Sequence, residues 1–214
     1  MTATRQAVLD TARRSVALGL THGTSGNVSA RAGTGFAITP TGMPYDRLEA
    51  ADIVVVDLDG RPGAGERRTP SSEWPMHAAV YRARPDVGAI VHGHSPSATA
   101  VACLGRDLPA FHYMIAVAGG DSVRCAPYAG FGTPELAGLA VRAMTDRWAC
   151  LLAQHGLLAA GRSLEHALSV AEEVEFLASV YLTLLPLGDP AVLGAAEMAE
   201  VIARFGGYGQ QGPP

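Results

Sequence analysis

Residues 87–94, VGAIVHGH, form an apolar run rich in β-formers that ends in two histidines separated by one glycine. Strand residues two apart point to the same side of a sheet, so a strand here aims His92 and His94 at one point in space. The run therefore asks for a largely buried strand with a polar site at its end. The chemical question is whether that point holds a metal ion.

The elements around it read as a mixture. Val8, Ala12 and Val16 recur at helical spacing over residues 4–18, with Gly19 as the stop. FAITPTG and ADIVVVDLDG read as strands, the second closing in an Asp59–Gly60 turn. A helix is expected from Ser71 or Ser72, with Pro75 tolerated in its first turn and Pro85 ending it. A short helix follows Ser95, and strands are expected near 113–118 and 123–126. Thr133-Pro134-Glu135 combines a cap, a proline at the first helical position and an acid in the first turn. WACLLAQHGLLAAG reads as two strands meeting at Gln154–Gly156. Ser163 caps a long helix to about Leu185, and a last helix covers 195–205. Strands and helices do not alternate as clean βαβ units, so the expectation is an α/β fold with a mixed sheet covered by helices on both faces. A length of 214 residues, 48 % of them hydrophobic, suits one domain over 1–214 with a sizeable core.

Two further residues extend the histidine pair. His155 follows an apolar strand and precedes a glycine that permits a sharp turn, and Glu73 lies at the expected helix start. Three imidazoles suit zinc, with a carboxylate, water or substrate in the fourth position. His77, four residues after Glu73 on the same helix face, is a rival ligand. His22 and His166 read as surface residues, and His112 is ambiguous. Neither CxxC nor HExxH spacing occurs, which argues against a zinc knuckle or a zincin protease and for an open catalytic site.

Composition matters at one point. All 16 basic residues are arginine, and the chain contains no lysine. Arginine stays protonated and forms no imine, so Schiff-base chemistry through a lysine is excluded, and activation of a ketone falls to a metal or to hydrogen bonds. A net charge of -4 gives no reason to expect nucleic acid or an anionic membrane as partner. The N-terminus lacks the apolar core of a signal peptide, and FLASVYLTLLPLG is too short to span a bilayer. Three widely spaced cysteines, Cys103, Cys125 and Cys150, fit free thiols in a reducing cytoplasm.

THGTSGNVS (21–29), TPTG (39–42) and PSS (70–72) are dense in glycine and small hydroxyl residues. Such loops offer backbone N–H groups and side-chain donors to an anion, and a helix N-terminus adds its dipole. Three of them, one leading into Glu73, point to a phosphorylated substrate.

With these residues assembled, the chain resembles the class II aldolase/adducin family over nearly its whole length. The resemblance rests on GTSGNVS, ITPTGMPYDRL, PSSEW, IVHGHSPSATAV, HYMIAVAGG, CAPYAGFGTPEL and QHGLLA. The H-x-H and H-G motifs belong to the family at large, whereas HYMIA and APY-x-x-FGT favour its fuculose-phosphate branch. The resemblance implies a three-layer α/β/α sandwich on a mixed, mostly antiparallel sheet. It also implies a homotetramer with active sites at subunit interfaces and one Zn2+ per subunit. Zinc would be held by His92, His94 and His155, with Glu73 as the resting-state ligand. Gly26, Asn27, Thr41, Gly42, Ser71 and Ser72 match positions that hold the substrate phosphate. Tyr113 matches a tyrosine reaching in from a neighbouring subunit, and Phe131 and Tyr208 match residues of the aldehyde pocket. Beyond Tyr208 the tail departs from the family, which leaves its part in closing the site open.

The implied reaction is reversible cleavage of a ketose 1-phosphate of the L-fuculose 1-phosphate kind to dihydroxyacetone phosphate and an aldehyde such as L-lactaldehyde. Glu73 would move the proton on the dihydroxyacetone phosphate carbon and Tyr113 the proton on the aldehyde oxygen. The rival readings within the family are a pentulose-phosphate 4-epimerase and a methylthioribulose 1-phosphate dehydratase. A non-catalytic adducin-like binding module is the rival from another class, expected to have lost metal ligands.

Overall fold

The computed structural model describes residues 2–205. Helix α1 (Thr2–Ala17) precedes a hairpin of β1 (Asn27–Ala32) and β2 (Gly35–Ile38), and the short β3 (Val54–Val56) follows. Then come α2 (Trp74–Ala83), β4 (Ala89–Gly93), α3 (Pro96–Cys103), β5 (Leu108–Pro109), β6 (Ser122–Ala126) and α4 (Pro134–Ala143). Strands β7 (Ala149–Leu152) and β8 (Gly156–Gly161) lead into the long α5 (Leu164–Leu184), and α6 (Ala195–Phe205) ends the described chain. The eight strands form one sheet in the order β3-β2-β1-β4-β8-β7-β6-β5. Every neighbouring pair is antiparallel except β6 and β7.

Period-2 alternation divides the strand side chains between two cores. On one face Val28, Val91, Leu151, Leu157 and Ala159 pack with residues of α1, α3 and α5. On the other, Ile90, Cys150, Leu152, Leu158 and Ala160 pack with residues of α2 and α4. Because both faces are covered, β4, β7 and β8 are buried along their whole length. The three-layer α/β/α sandwich on a mixed, mostly antiparallel sheet is therefore the observed fold. Among the described residues, no helix is long and apolar enough to cross a membrane.

Most elements lie where the pattern puts them; besides the two-residue β5, which is not among the expected strands, there are three differences. Residues 113–118, expected as a strand, form a 3-10 helix, Tyr113–Ala118. The His112 side chain accepts from Met114 N at 3.2 Å, and Gly119 at φ +93° ends the turn. Local hydrogen bonds thus replace a sheet ladder. Strand β1 was not expected, because NVSARA is poor in β-formers and its first residues read as part of an anion loop. Its polar residues Asn27 and Ser29 are nevertheless buried. Third, β3 is much shorter than ADIVVVDLDG suggests. Ala50–Asp52 instead forms a 3-10 turn in which Glu49 and Asp52 cap each other.

Candidate metal centre

The alternation that buries β4 also aims its histidines. Ile90 faces α2 and α4, so His92, two residues on, faces the same helices. Gly93 faces the opposite way. A Cβ placed there would stand 2.3 Å from the Leu20 carbonyl oxygen, so only glycine lets β4 pass this closely beneath the α1–β1 loop. Gly156, at the start of β8, is confined similarly: its Cβ would stand 2.5 Å from Gly93 O and 2.9 Å from His94 Cδ2. The β7–β8 turn carries His155 beside the pair, with Gln154 at φ +53° making the corner. Glu73 precedes α2 as its N-cap residue, but its side chain does not cap the helix. It turns toward the histidines instead.

Glu73 Oε2 lies 3.1 Å from His92 Nε2, and Oε1 lies 3.2 Å from His155 Nε2. His94 Nε2 and His92 Nε2 are 3.1 Å apart. All four ligand atoms fall within 4.8 Å of one another. His92 Nδ1 is 2.9 Å from Leu157 O, which assigns the ring proton to Nδ1 and turns the Nε2 lone pair into the cluster. Two imidazole nitrogens facing each other at such a distance repel unless a proton or cation lies between them. Glu73 Oε1 is buried and has no hydrogen-bond donor unless the His155 ring, 3.2 Å away, carries its proton on Nε2, and an unpaired carboxylate oxygen there is costly. A cation among the four residues resolves both problems. Ligands bonded at about 2.0–2.1 Å in a tetrahedron stand roughly 3.3 Å apart, close to the three short separations here. The donor set therefore fits a metal ion.

Electrostatics agree. Burial acts to raise the Glu73 carboxyl, but the imidazoles of His92 and His155 outweigh it and hold the group well below the usual carboxylate range. Burial and the neighbouring His92 and His155 push His94 down to about 4, so its imidazole is neutral and free to ligate at neutral pH.

Above the cluster opens a cavity of about 330 Å³. Glu73, His94 and His155 line its floor, while His92 lies beneath and is 1 % exposed. All six residues expected to hold phosphate, Gly26, Asn27, Thr41, Gly42, Ser71 and Ser72, line the same cavity. Gly26 and Gly42 adopt positive φ, +77° and +67°, the backbone conformation from which successive N–H groups can converge on an anion. No arginine is among the lining residues.

Phe131 lines the mouth and is 71 % exposed. Tyr113 is not brought to the cavity within the chain. It lies exposed on its 3-10 helix, with its ring 4.9 Å from that of His112. Tyr208 lies outside the described residues. His77, the rival ligand, is not in the cluster: its Nε2 bonds Asn27 Oδ1, and its Nδ1 is 2.7 Å from Ser29 Oγ. Tyr128 and Gln154 also line the cavity, and neither is among the site residues that the sequence points to. Their position beside two motifs, in APY and directly before His155, is the signal in the sequence that marks them.

The family profile described as Class II Aldolase and Adducin N-terminal domain matches residues 6–182. A 5-methylthioribulose-1-phosphate/5-deoxyribulose-1-phosphate aldolase of Rhodospirillum rubrum is 49 % identical over 207 residues, covering 97 % of this chain and 93 % of the relative. An L-fuculose phosphate aldolase of Escherichia coli is 49 % identical over 203 residues, with 94 % of each chain covered. A solved L-fuculose 1-phosphate aldolase superposes with a TM-score of 0.92 at 43 % identity, covering 96 % of this chain and 97 % of the other. With the His/Glu cluster in place and the match running through both, the chain belongs to the class II aldolase and adducin family and is, within it, an aldolase, an aldehyde-lyase.

Proposed function

We propose that this protein is a zinc-dependent aldolase that reversibly cleaves a ketose 1-phosphate to dihydroxyacetone phosphate and a short aldehyde. The observation that carries the reading is a Glu73 carboxylate buried against three imidazoles on the floor of a cavity walled by hydroxyl and glycine loops. The absence of lysine supports it, since the ketone has no imine-forming partner in the chain.

His92, His94 and His155 would hold the ion, with Glu73 as the fourth ligand only until substrate arrives, and three imidazoles with one carboxylate favour Zn2+. A metal bound there supplies Lewis-acid stabilisation of the charge that develops on the ketone half. In synthesis, the ionised Glu73 takes the C3 proton of dihydroxyacetone phosphate, and the electron pair left on C3 forms the C3–C4 bond with the aldehyde carbon. The aldehyde oxygen, negative once that bond has formed, takes the proton of the Tyr113 hydroxyl and becomes the C4 hydroxyl; solvent then removes the proton from Glu73 and restores that of Tyr113, and cleavage runs the same transfers in reverse. Gly26, Asn27, Thr41, Gly42, Ser71 and Ser72 grip the phosphate remote from the broken bond and position the substrate. Phe131 and Tyr208 shape the aldehyde side.

Tyr113 performs its step from a neighbouring subunit of a homotetramer. Its exposed position away from its own chain's cavity, and the exposure of Phe131 at the mouth, support that arrangement. Three free cysteines support a reducing, cytoplasmic setting.

The substrate is of the L-fuculose 1-phosphate kind, giving L-lactaldehyde. The R. rubrum relative, equally similar, favours a second reading in which a 5-deoxy- or 5-methylthio-pentulose 1-phosphate is cleaved. Both substrates leave the same phosphate half, so the aldehyde distinguishes them. The zinc-loaded protein should be supplied with dihydroxyacetone phosphate and, separately, lactaldehyde, acetaldehyde and methylthioacetaldehyde, and product stereochemistry scored with rate. Chelation should abolish turnover and zinc should restore it. Turnover indifferent to chelator, or epimerisation without aldehyde release, overturns the proposal.

A further inference from the structure

The group behind the metal centre has an order of its own. Glu73, His77 and Tyr81 recur at four-residue spacing on one face of α2 and its N-cap. Asn27 and Ser29 alternate on the facing side of β1. Four helical residues rise about 6 Å and two strand residues nearly 7 Å, so the two rows interdigitate. Asn27 Nδ2 donates to Glu73 Oε2 at 2.9 Å, and Asn27 Oδ1 meets His77 Nε2. His77 Nδ1 lies 2.7 Å from Ser29 Oγ, and Ser29 Oγ lies 2.8 Å from the Tyr81 hydroxyl. All five side chains are buried, His77 completely.

Proton positions along this ladder follow from its first rung. An ionised carboxylate only accepts, so the amide end facing Glu73 must be Nδ2. The other end is then the carbonyl oxygen Oδ1, and His77 Nε2 opposite it must carry a proton. Complete burial, the largest cause, pushes His77 down to about 3, so the ring is neutral and its second nitrogen is free to accept. Ser29 donates to that Nδ1 and accepts from Tyr81. One assignment satisfies every group, and a flipped Asn27 would set its carbonyl against the Glu73 carboxylate.

We propose that His77 is a positioning residue: by donating from Nε2 to Asn27 Oδ1, it locks the Asn27 amide with Nδ2 toward Glu73 and so sets the direction of the carboxylate that moves the proton on dihydroxyacetone phosphate. This rests on the proposed role of Glu73, and it also ties the phosphate side of the cavity to the metal side, because Asn27 lines the cavity and contacts Glu73.

The ring state is readable without turnover. Long-range 1H–15N correlation on the 15N-histidine-labelled, zinc-loaded protein should show His77 as the neutral Nε2–H tautomer. An imidazolium or an Nδ1–H tautomer overturns the proposal whether or not any variant folds. His77→Met should slow exchange of the C3 proton of dihydroxyacetone phosphate roughly 10–100-fold. His77→Gln, whose amide nitrogen can stand near the Nε2 position, should recover much of that loss. In an Asn27→Ala background, His77→Met should cost nothing more. Equal damage by Gln and Met, or losses that multiply across the two sites, overturns the proposal. If Glu73→Gln keeps full exchange, the role of Glu73 fails instead, while the tautomer still reports on the ladder.

Discussion

Replacing Gly93 by alanine adds one methyl group to the strand that seats the metal. That Cβ would stand 2.3 Å from Leu20 O and 3.2 Å from Leu20 C. An unstrained carbon–oxygen contact needs about 3.4 Å, so roughly 1 Å must open between β4 and the α1–β1 loop. Neither side yields freely. Leu20 is 1 % exposed and its N–H is held by Ser15 O at 2.9 Å. Strand β4 is paired on both edges, His92 with Asn27 and Leu158, and Gly93 with Leu157. Overpacking at such a site costs about 1–3 kcal/mol. For a chain of this size that corresponds to a melting temperature lower by about 2–4 °C per kcal/mol. Displacement shared with β4 also moves His92 and His94, and a shift approaching 1 Å in a catalytic group costs about 100-fold in rate. Differential scanning calorimetry of the chelated protein isolates the packing cost, and metal analysis with an aldol assay on the reloaded protein reads the displacement. A Gly93→Ala protein that melts with the wild type and binds metal and turns over equally would refute this account of the strand.

Other substitutions separate the remaining roles. Gly138→Ala, inside α4 with no atom nearer than 3.7 Å to the new Cβ, should stabilise by about 0.5–1 kcal/mol, the opposite sign to Gly93→Ala in the same calorimetric assay. Glu73→Gln should retain most of the metal by elemental analysis. Its exchange of the dihydroxyacetone phosphate proton should fall by about 100-fold or more, and undiminished exchange would remove Glu73 from that step. Tyr113→Phe should lose cleavage by a similar factor of about 100 while leaving that exchange largely intact, and equal loss of both would show that Tyr113 is not specific to the aldehyde half.

The architecture was legible in the chain because it rests on patterns that repeat. The buried run before His92, the capped start at Thr133 and Ser163, and the paired apolar stretches around Gln154–Gly156 each carry a local signature that tertiary contacts then obey. Strand β1 was not legible. A strand whose polar residues bond a buried helix rather than solvent lacks the apolar–polar contrast by which strands are recognised. Residues 113–118 misled in the opposite sense, since YMIAVA is apolar enough for a strand but the His112 cap and Gly119 satisfy its backbone locally.

For the site, the identities of His92, His94, His155 and Glu73 followed from residue chemistry, from the two-residue strand period and from family resemblance. Their convergence within 4.8 Å was decided by the fold, through contacts between segments far apart in sequence. The same holds for His77. Spacing alone places it on the face of Glu73, which made it a rival ligand, and only the approach of Asn27 and Ser29 on β1 turns its ring into the ladder. Sequence by itself determined which groups could hold a metal, that no lysine could take its place, and which strand would aim the first two ligands, because those depend on side-chain chemistry and local backbone period. The tertiary structure decided which groups meet, which histidine stands behind the centre, and that Tyr113 lies outside its own chain's cavity, because each depends on distances between elements that no local period encodes.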